Sequence, residues 1–173
     1  MKITKNIIWV LFVVLACVVF VYVFSVRNKT DLLINDPTPA DTSVVYRNTA
    51  YGFTFALPES WRGYSIVNTA WEGNPLKNTS TKESGPKLLV RNPKWTATLP
   101  YEDIPVMVFT LAQWNAYIAE NFSVSAAPIL ATELGRNTVY VFALPPRWNF
   151  DYSEGYEEAE NIVKSNSLEA FTI

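Results

Sequence analysis

The chain has 173 residues, 49% of them hydrophobic and 17% charged, with a formal net charge of −2. That length suits one domain with appendages, and the composition excludes a wholly disordered chain. One cysteine and no histidine exclude an intramolecular disulfide, zinc sites rich in thiols or imidazoles, and any histidine-dependent triad; no cofactor or metal is expected.

The first element is an apolar run that begins at Ile7 and ends at Val26. Its twenty residues carry no charge, and fifteen are Leu, Ile, Val or Phe. At roughly 0.4 kcal/mol each, insertion into a bilayer gains on the order of 6 kcal/mol. Twenty helical residues match a hydrocarbon core of about 30 Å. Residues 1–26 therefore read as a short cytoplasmic head and a retained transmembrane signal anchor. A cleaved signal peptide is disfavoured, because the run is long and no small-x-small site stands out at its end. Val14-Leu15-Ala16-Cys17 looks somewhat like a lipobox. A lipidated cysteine is normally followed by a polar tether, however, whereas residues 18–24 are strongly apolar, and Cys17 reads more simply as a buried thiol. Lys2 and Lys5 before the run and Arg27 and Lys29 after it leave the positive-inside count even. Short heads usually stay in the cytoplasm while long carboxyl-terminal domains are translocated. The chain is thus expected to be single-pass in the cell membrane, with its domain outside the cytoplasm.

Residues 27–45 are mostly polar and include Pro37 and Pro39, the composition of an extended, semi-stiff tether. The folded domain is expected over residues 46–173. That stretch holds ten Lys or Arg against thirteen Asp or Glu, a balance of −3. Such mild acidity offers no footprint for nucleic acid and no attraction to an anionic membrane surface.

Phe53, Phe55 and Leu57 alternate with Thr54 and Ala56, which predicts a half-buried strand stopped by Pro58, with Trp61 just past the turn. Residues 63–71 read as a second strand. Residues 72–86 are crowded with Gly, Pro, Asn, Ser and Thr and read as a long loop. Residues 87–91 make a short strand, and residues 92–103 a second irregular stretch. Residues 104–111 are apolar on both faces, the mark of a strand covered on both sides. Thr110 and Gln113 have capping-box spacing, ahead of a helix carrying Trp114, Tyr117, Ile118 and Phe122 at helical spacing. Residues 129–134 and 138–144 read as strands joined by a turn at Gly135-Arg136-Asn137, the second again apolar on both faces. Asp151 or Ser153 is expected to cap a last helix reaching about Ser165, with Tyr156, Ala159 and Val163 as its stripe and Glu160–Lys164 as an i,i+4 pair. Residues 168–173 can add a last short strand. This order predicts an α+β fold: a mostly antiparallel sheet between helical or loop layers.

The pattern Tyr46-x-Asn48-x-x-Tyr51-Gly52-Phe53-x-Phe55-x-x-Pro58-x-x-Trp61 resembles the opening signature of PsbP-like domains, a family that includes small tethered bacterial proteins. Ile162-Val163-x-Ser165 resembles that family's closing helix. The resemblance implies an antiparallel sheet in an α/β/α sandwich over residues 46–173. It places no functional residue. Ser165-Asn166-Ser167-Leu168 departs from the family's tight junction there, and residues 74–103 look enlarged.

Few residues carry chemistry. Ser84-x-x-Lys87 has the spacing of a serine acyl enzyme, but Gly85 and Pro86 oppose the helical turn that the pairing needs. Glu102-Asp103 and Asp151 with Glu154 are conceivable paired carboxylates for a hydrolase. The better lead is aromatic: Trp71, Trp95, Tyr101, Trp148, Phe150 and Tyr152 lie near polar or proline-rich stretches, with Arg147 beside Trp148 as a cation–π pair or partner-facing anchor. The alternative is that these rings close over the ends of the sheet. The functional expectation is a non-catalytic interaction domain for an envelope protein. The alternative is a module that stacks cell-wall glycan on the aromatic loops. Clustering of Trp95, Tyr101 and Trp148 on one exposed concave face would favour the glycan.

Overall fold

The computed structural model describes residues 43–78, 81–126 and 129–173. The anchor expected over residues 7–26 and nearly all of the tether lie outside them. Among the described residues no helix is long and apolar enough to cross a membrane.

The strands are β1 (Val44–Asn48), β2 (Phe53–Leu57), β3 (Ser65–Pro75), β4 (Glu83–Arg91), β5 (Ile104–Thr110), β6 (Phe122–Ser123), β7 (Thr132–Arg136), β8 (Tyr140–Leu144) and β9 (Leu168–Ala170). The helices are α1 (Leu111–Ile118) and α2 (Tyr156–Lys164). Six strands form one sheet in the order β6-β3-β4-β5-β8-β7, and three form a second in the order β1-β2-β9. Every pairing within the two sheets is antiparallel.

Strands β5 and β8 are hidden on both faces, as their unbroken apolar sequence requires. Ile104, Val106 and Val108 join Phe142 and Leu144 in one core, against Phe53, Phe55 and Leu57 of the small sheet and Ala159 and Ile162 of α2. Met107 and Phe109 join Val141 and Ala143 in a second core, against Trp114 and Tyr117 of α1. The two-residue period of a strand separates these sets. One face of the large sheet is thus covered by α1, and the other by the small sheet and α2. Trp61 is fully buried in the first core. Its indole N–H is the one buried side-chain polar atom without a partner among the described residues.

The stretch expected as a long loop, residues 72–86, is mostly hairpin. β3 and β4 stay in register from Ser65↔Arg91 to Gly73↔Glu83. The glycines that read as loop residues serve a packing need instead. A Cβ on Gly85 would lie 2.7 Å from the Trp71 ring, and one on Gly73 would run into the Phe122 ring. Both aromatics lie flat over bare backbone, with the Trp71 and Phe122 planes 2° apart.

Helix α1 begins as expected: Thr110 Oγ1 accepts from Gln113 N–H at 3.1 Å, and Gln113 Oε1 accepts from Thr110 N–H at 3.1 Å. It ends sooner than the apolar spacing implied. Glu120 takes a left-handed φ of 54°, Glu120 N–H donates to Tyr117 O, and Asn121 N–H donates to Ala116 O. This closes the helix in a Schellman pattern without the usual glycine, so Phe122 lies in β6, opposite Pro75. Neither Asp151 nor Ser153 caps α2. Its N-cap is Gly155 at φ 80°, without a side-chain cap. The ring of Tyr101 would lie 2.9 Å from a Cβ there. The buried stripe of α2 is Ala159 and Ile162, with Tyr156 and Val163 only half-buried. The Glu160–Lys164 pair forms, at 2.7 Å.

Gly85→Ala is expected to destabilise the fold by about 1–3 kcal/mol through overpacking against Trp71, read as a lower midpoint in urea denaturation. Thr110→Ala is expected to cost about 1 kcal/mol from the lost cap by the same measurement.

Candidate functional site

The candidate residues divide by location. Trp71 belongs to the core and is corrected as a binding anchor. It is 3% exposed, stacks on Phe109 at 4.4 Å, and its Nε1–H donates to Val108 O at 2.8 Å. The β4–β5 ladder stops at Lys87↔Met107. Continued by one residue, it would set Pro86 opposite Val108, and Pro86 has no N–H to give. The indole supplies a donor where the ladder has none.

The other five come from two loops that the fold ties together. Glu102 N–H donates to Glu154 O at 2.8 Å, and Tyr101 forms a parallel bridge with Glu154. This joins residues 92–103, which carry Trp95 and Tyr101, to residues 145–155, which carry Arg147, Trp148 and Tyr152. Nothing in the sequence signalled that pairing.

Most ring faces here are already occupied. The Arg91 guanidinium lies 3.9 Å from the Trp95 ring centre, and the same group holds Asp103 in a two-pronged ion pair, with Nη2 to Oδ2 at 2.9 Å. Tyr101 is half-buried, with Gly155 against its ring and Lys94 Nζ 5.7 Å from its centre. Trp148 packs on the main core. Arg147 does not pair with Trp148 as its neighbour; its guanidinium sits 5.5 Å from the ring centre of Phe150.

Two of the aromatics are largely exposed. Phe150 is 62% exposed and Tyr152 is 68% exposed. They lie on a double turn in which Phe150 N–H donates to Arg147 O and Tyr152 N–H to Asn149 O. Arg147 and Tyr152 both adopt left-handed φ, 53° and 48°, at a cost of order 1–3 kcal/mol each. Asn149 Nδ2 ties the turn to α2 through Glu160 Oε1 at 3.2 Å, and Tyr152 meets Tyr156 of α2 edge-on at 5.0 Å. The turn is therefore fastened at its base while its two rings face solvent.

Glu102 lies behind this surface, only 9% exposed. Burial raises its carboxyl above the usual range, hydrogen bonds from Ser153 offset part of that, and the charges of Asp103 and Asp151 raise it further. Ser84 and Lys87 lie along strand β4, so the acyl-enzyme geometry is absent there. Two of the grooves on the described surface lie away from these loops. One, of about 650 Å³, runs between the end of β2 and α2 past Pro58, Glu158 and Ser165. The other, of about 220 Å³, is floored by Tyr117 and Phe122 and rimmed by Leu76, Ile129 and Leu130. Neither is lined by Trp95, Tyr101, Glu102 or Trp148.

No family model, curated protein or solved structure matches the chain.

Because the folded state raises the affinity of Glu102 for its proton, it binds more protons than the unfolded chain above about pH 4.3, the ordinary glutamate value. Stability then falls as pH rises through that window. Glu102→Gln is expected to raise the melting temperature at pH 7, with the gain vanishing below pH 4. A lower melting temperature at pH 7 would mean that the charged form stabilises the loops.

Proposed function

We propose that the chain is a membrane-anchored, extracytoplasmic interaction domain without catalysis, and that it binds an envelope protein through the turn at residues 147–152. The observation that carries this reading is the exposed Phe150 and Tyr152 pair on a strained, anchored turn. Aromatic rings presented on a preformed support lose little conformational freedom on binding, and such residues dominate protein interfaces. Arg147, beside Phe150, adds a cation suited to the same role.

The remaining features fit this reading. The anchor over residues 7–26 would hold the domain at the outer face of the membrane. The mostly antiparallel, two-helix architecture is of the α+β class that the PsbP-like resemblance implies, with the difference that a second, three-stranded sheet shares one covering layer with α2. The glycan alternative has less support, because Trp95, Tyr101 and Trp148 are half-buried and already pack against Arg91, Gly155 and the core. The hydrolase alternative has only the buried Glu102 near Asp103 and Asp151 to support it, and neither groove described above is lined by Glu102.

A photo-crosslinking residue in place of Tyr152 is expected to capture one discrete membrane-associated protein in native membranes. The same residue in place of Val45, exposed on β1, serves as control. Phe150→Ala should reduce capture at position 152 by roughly ten- to a hundredfold, the range of an interface hot spot, without lowering the melting temperature. Equal capture at both positions, or indifference to Phe150→Ala, would refute the assignment.

A further inference from the structure

An open strand edge invites another strand, and soluble domains blunt their edges with short strands, charges, prolines or bulges. Four terminal strands among the described residues are blunted. β9 has three residues. β6 has two residues. β1 has five and carries Arg47. β7 carries Arg136 and a register shift between Glu133 and Gly135. The outer edge of β3 carries one such device, the charge of Glu72, which pairs with Lys82 at 2.8 Å, and is otherwise open. β3 runs eleven residues, yet β6 covers only Asn74 and Pro75. The stretch from Ser65 to Gly73 contains no Lys, Arg or Pro, and its register with β4 is unbroken. Among the described residues, no strand pairs with its other side. Asn68, Thr69 and Ala70 are all exposed, so neither face is covered at the centre of this edge.

The direction of the free groups can be derived. Leu76 N–H donates across the β3–β6 side to Asn121 O. Backbone donors alternate sides along a strand, so the N–H groups of Glu72, Ala70, Asn68 and Ile66 turn toward the same open side. Their positions are symmetric about Thr69, the midpoint of the free edge.

We propose that this edge pairs with the same edge of a second copy, antiparallel, about a two-fold axis at Thr69. In that register Asn68 faces Ala70 of the other copy and Ile66 faces Glu72, each pair exchanging two ladder hydrogen bonds. The odd-numbered residues that carry Trp71 stay on one face of both sheets, so the two large sheets become continuous. Glu72, the only charge on the edge, meets Ile66, and no like charges oppose each other. This self-complementarity is what an isologous interface requires, and it favours a second copy over an unrelated strand. Thr69 faces its own counterpart in a non-hydrogen-bonded pair, where Cα atoms lie about 4.5 Å apart, within reach of a disulfide.

The test uses the full chain in mild detergent, with Cys17→Ser removing its one native thiol. Thr69→Cys is expected to form a covalent dimer on mild oxidation, at least tenfold faster than Glu169→Cys, a control at the exposed position of β9. Thr69→Lys places two ammonium groups opposite each other and is expected to weaken dimerisation at least tenfold by analytical ultracentrifugation. Should Thr69→Lys misfold, the cysteine pair alone decides. A monomer at micromolar concentration, equal crosslinking of the two cysteine variants, or crosslinking of Thr69→Cys only to a different protein would each overturn the proposal.

Discussion

Strand β5 is buried from Ile104 to Phe109, and that constraint organises the rest of the molecule. A strand without a solvent face needs two covers, and the chain supplies them from different places. Residues near both ends, β1, β2, α2 and β9, cover one side. The short helix α1, which follows β5 directly, covers the other. α1 has only eight residues and cannot hide the whole face. Trp71 and Phe122 complete that cover, and they fit because Gly85 and Gly73 leave the backbone bare beneath them. The Trp71 indole both covers Phe109 and gives Val108 its hydrogen bond, so one side chain meets an apolar and a polar need of the same strand.

Surface that the packing does not use appears where this scheme leaves residues over. The two loops at residues 92–103 and 145–155 are held by backbone contacts through Glu154. Their inner aromatics are spent on Arg91, Gly155 and the core. What remains outward is Phe150 and Tyr152. The outer edge of β3 is left over in a different sense: the hairpin is longer than its neighbours, so its first nine residues outrun the strand that covers its tip. One feature presents side chains, and the other presents backbone. They can serve different partners.

Much of this was legible in the sequence. The alternation of Phe53, Phe55 and Leu57, the two-faced apolar runs of β5 and β8, and the Thr110–Gln113 box are local patterns with local causes. The failures have causes that are not local. Gly73, Gly85 and Pro86 have the composition of a loop, and only distant rings explain them as strand. Glu120 ends α1 in a conformation that the sequence does not announce. Trp71 resembles a loop aromatic in sequence because the residues that follow it have the composition of a loop. Gly155, rather than Asp151 or Ser153, opens α2, where the ring of Tyr101 leaves no room for a Cβ. At the site, the aromatic residues could be named from sequence, but which faces were free depended on Arg91, Asn149 and the bridge to Glu154.

Hydrogen exchange on the intact chain tests the two-sided burial most directly. If both covers are in place, the amides of Val106, Val108, Phe109 and Phe142 should exchange only through global unfolding. Their opening free energies should then equal the stability from denaturation and fall with the same denaturant slope. Exchange of these amides at a rate near that of the 92–103 loop, insensitive to denaturant, would show that one face of β5 meets water and would contradict the account.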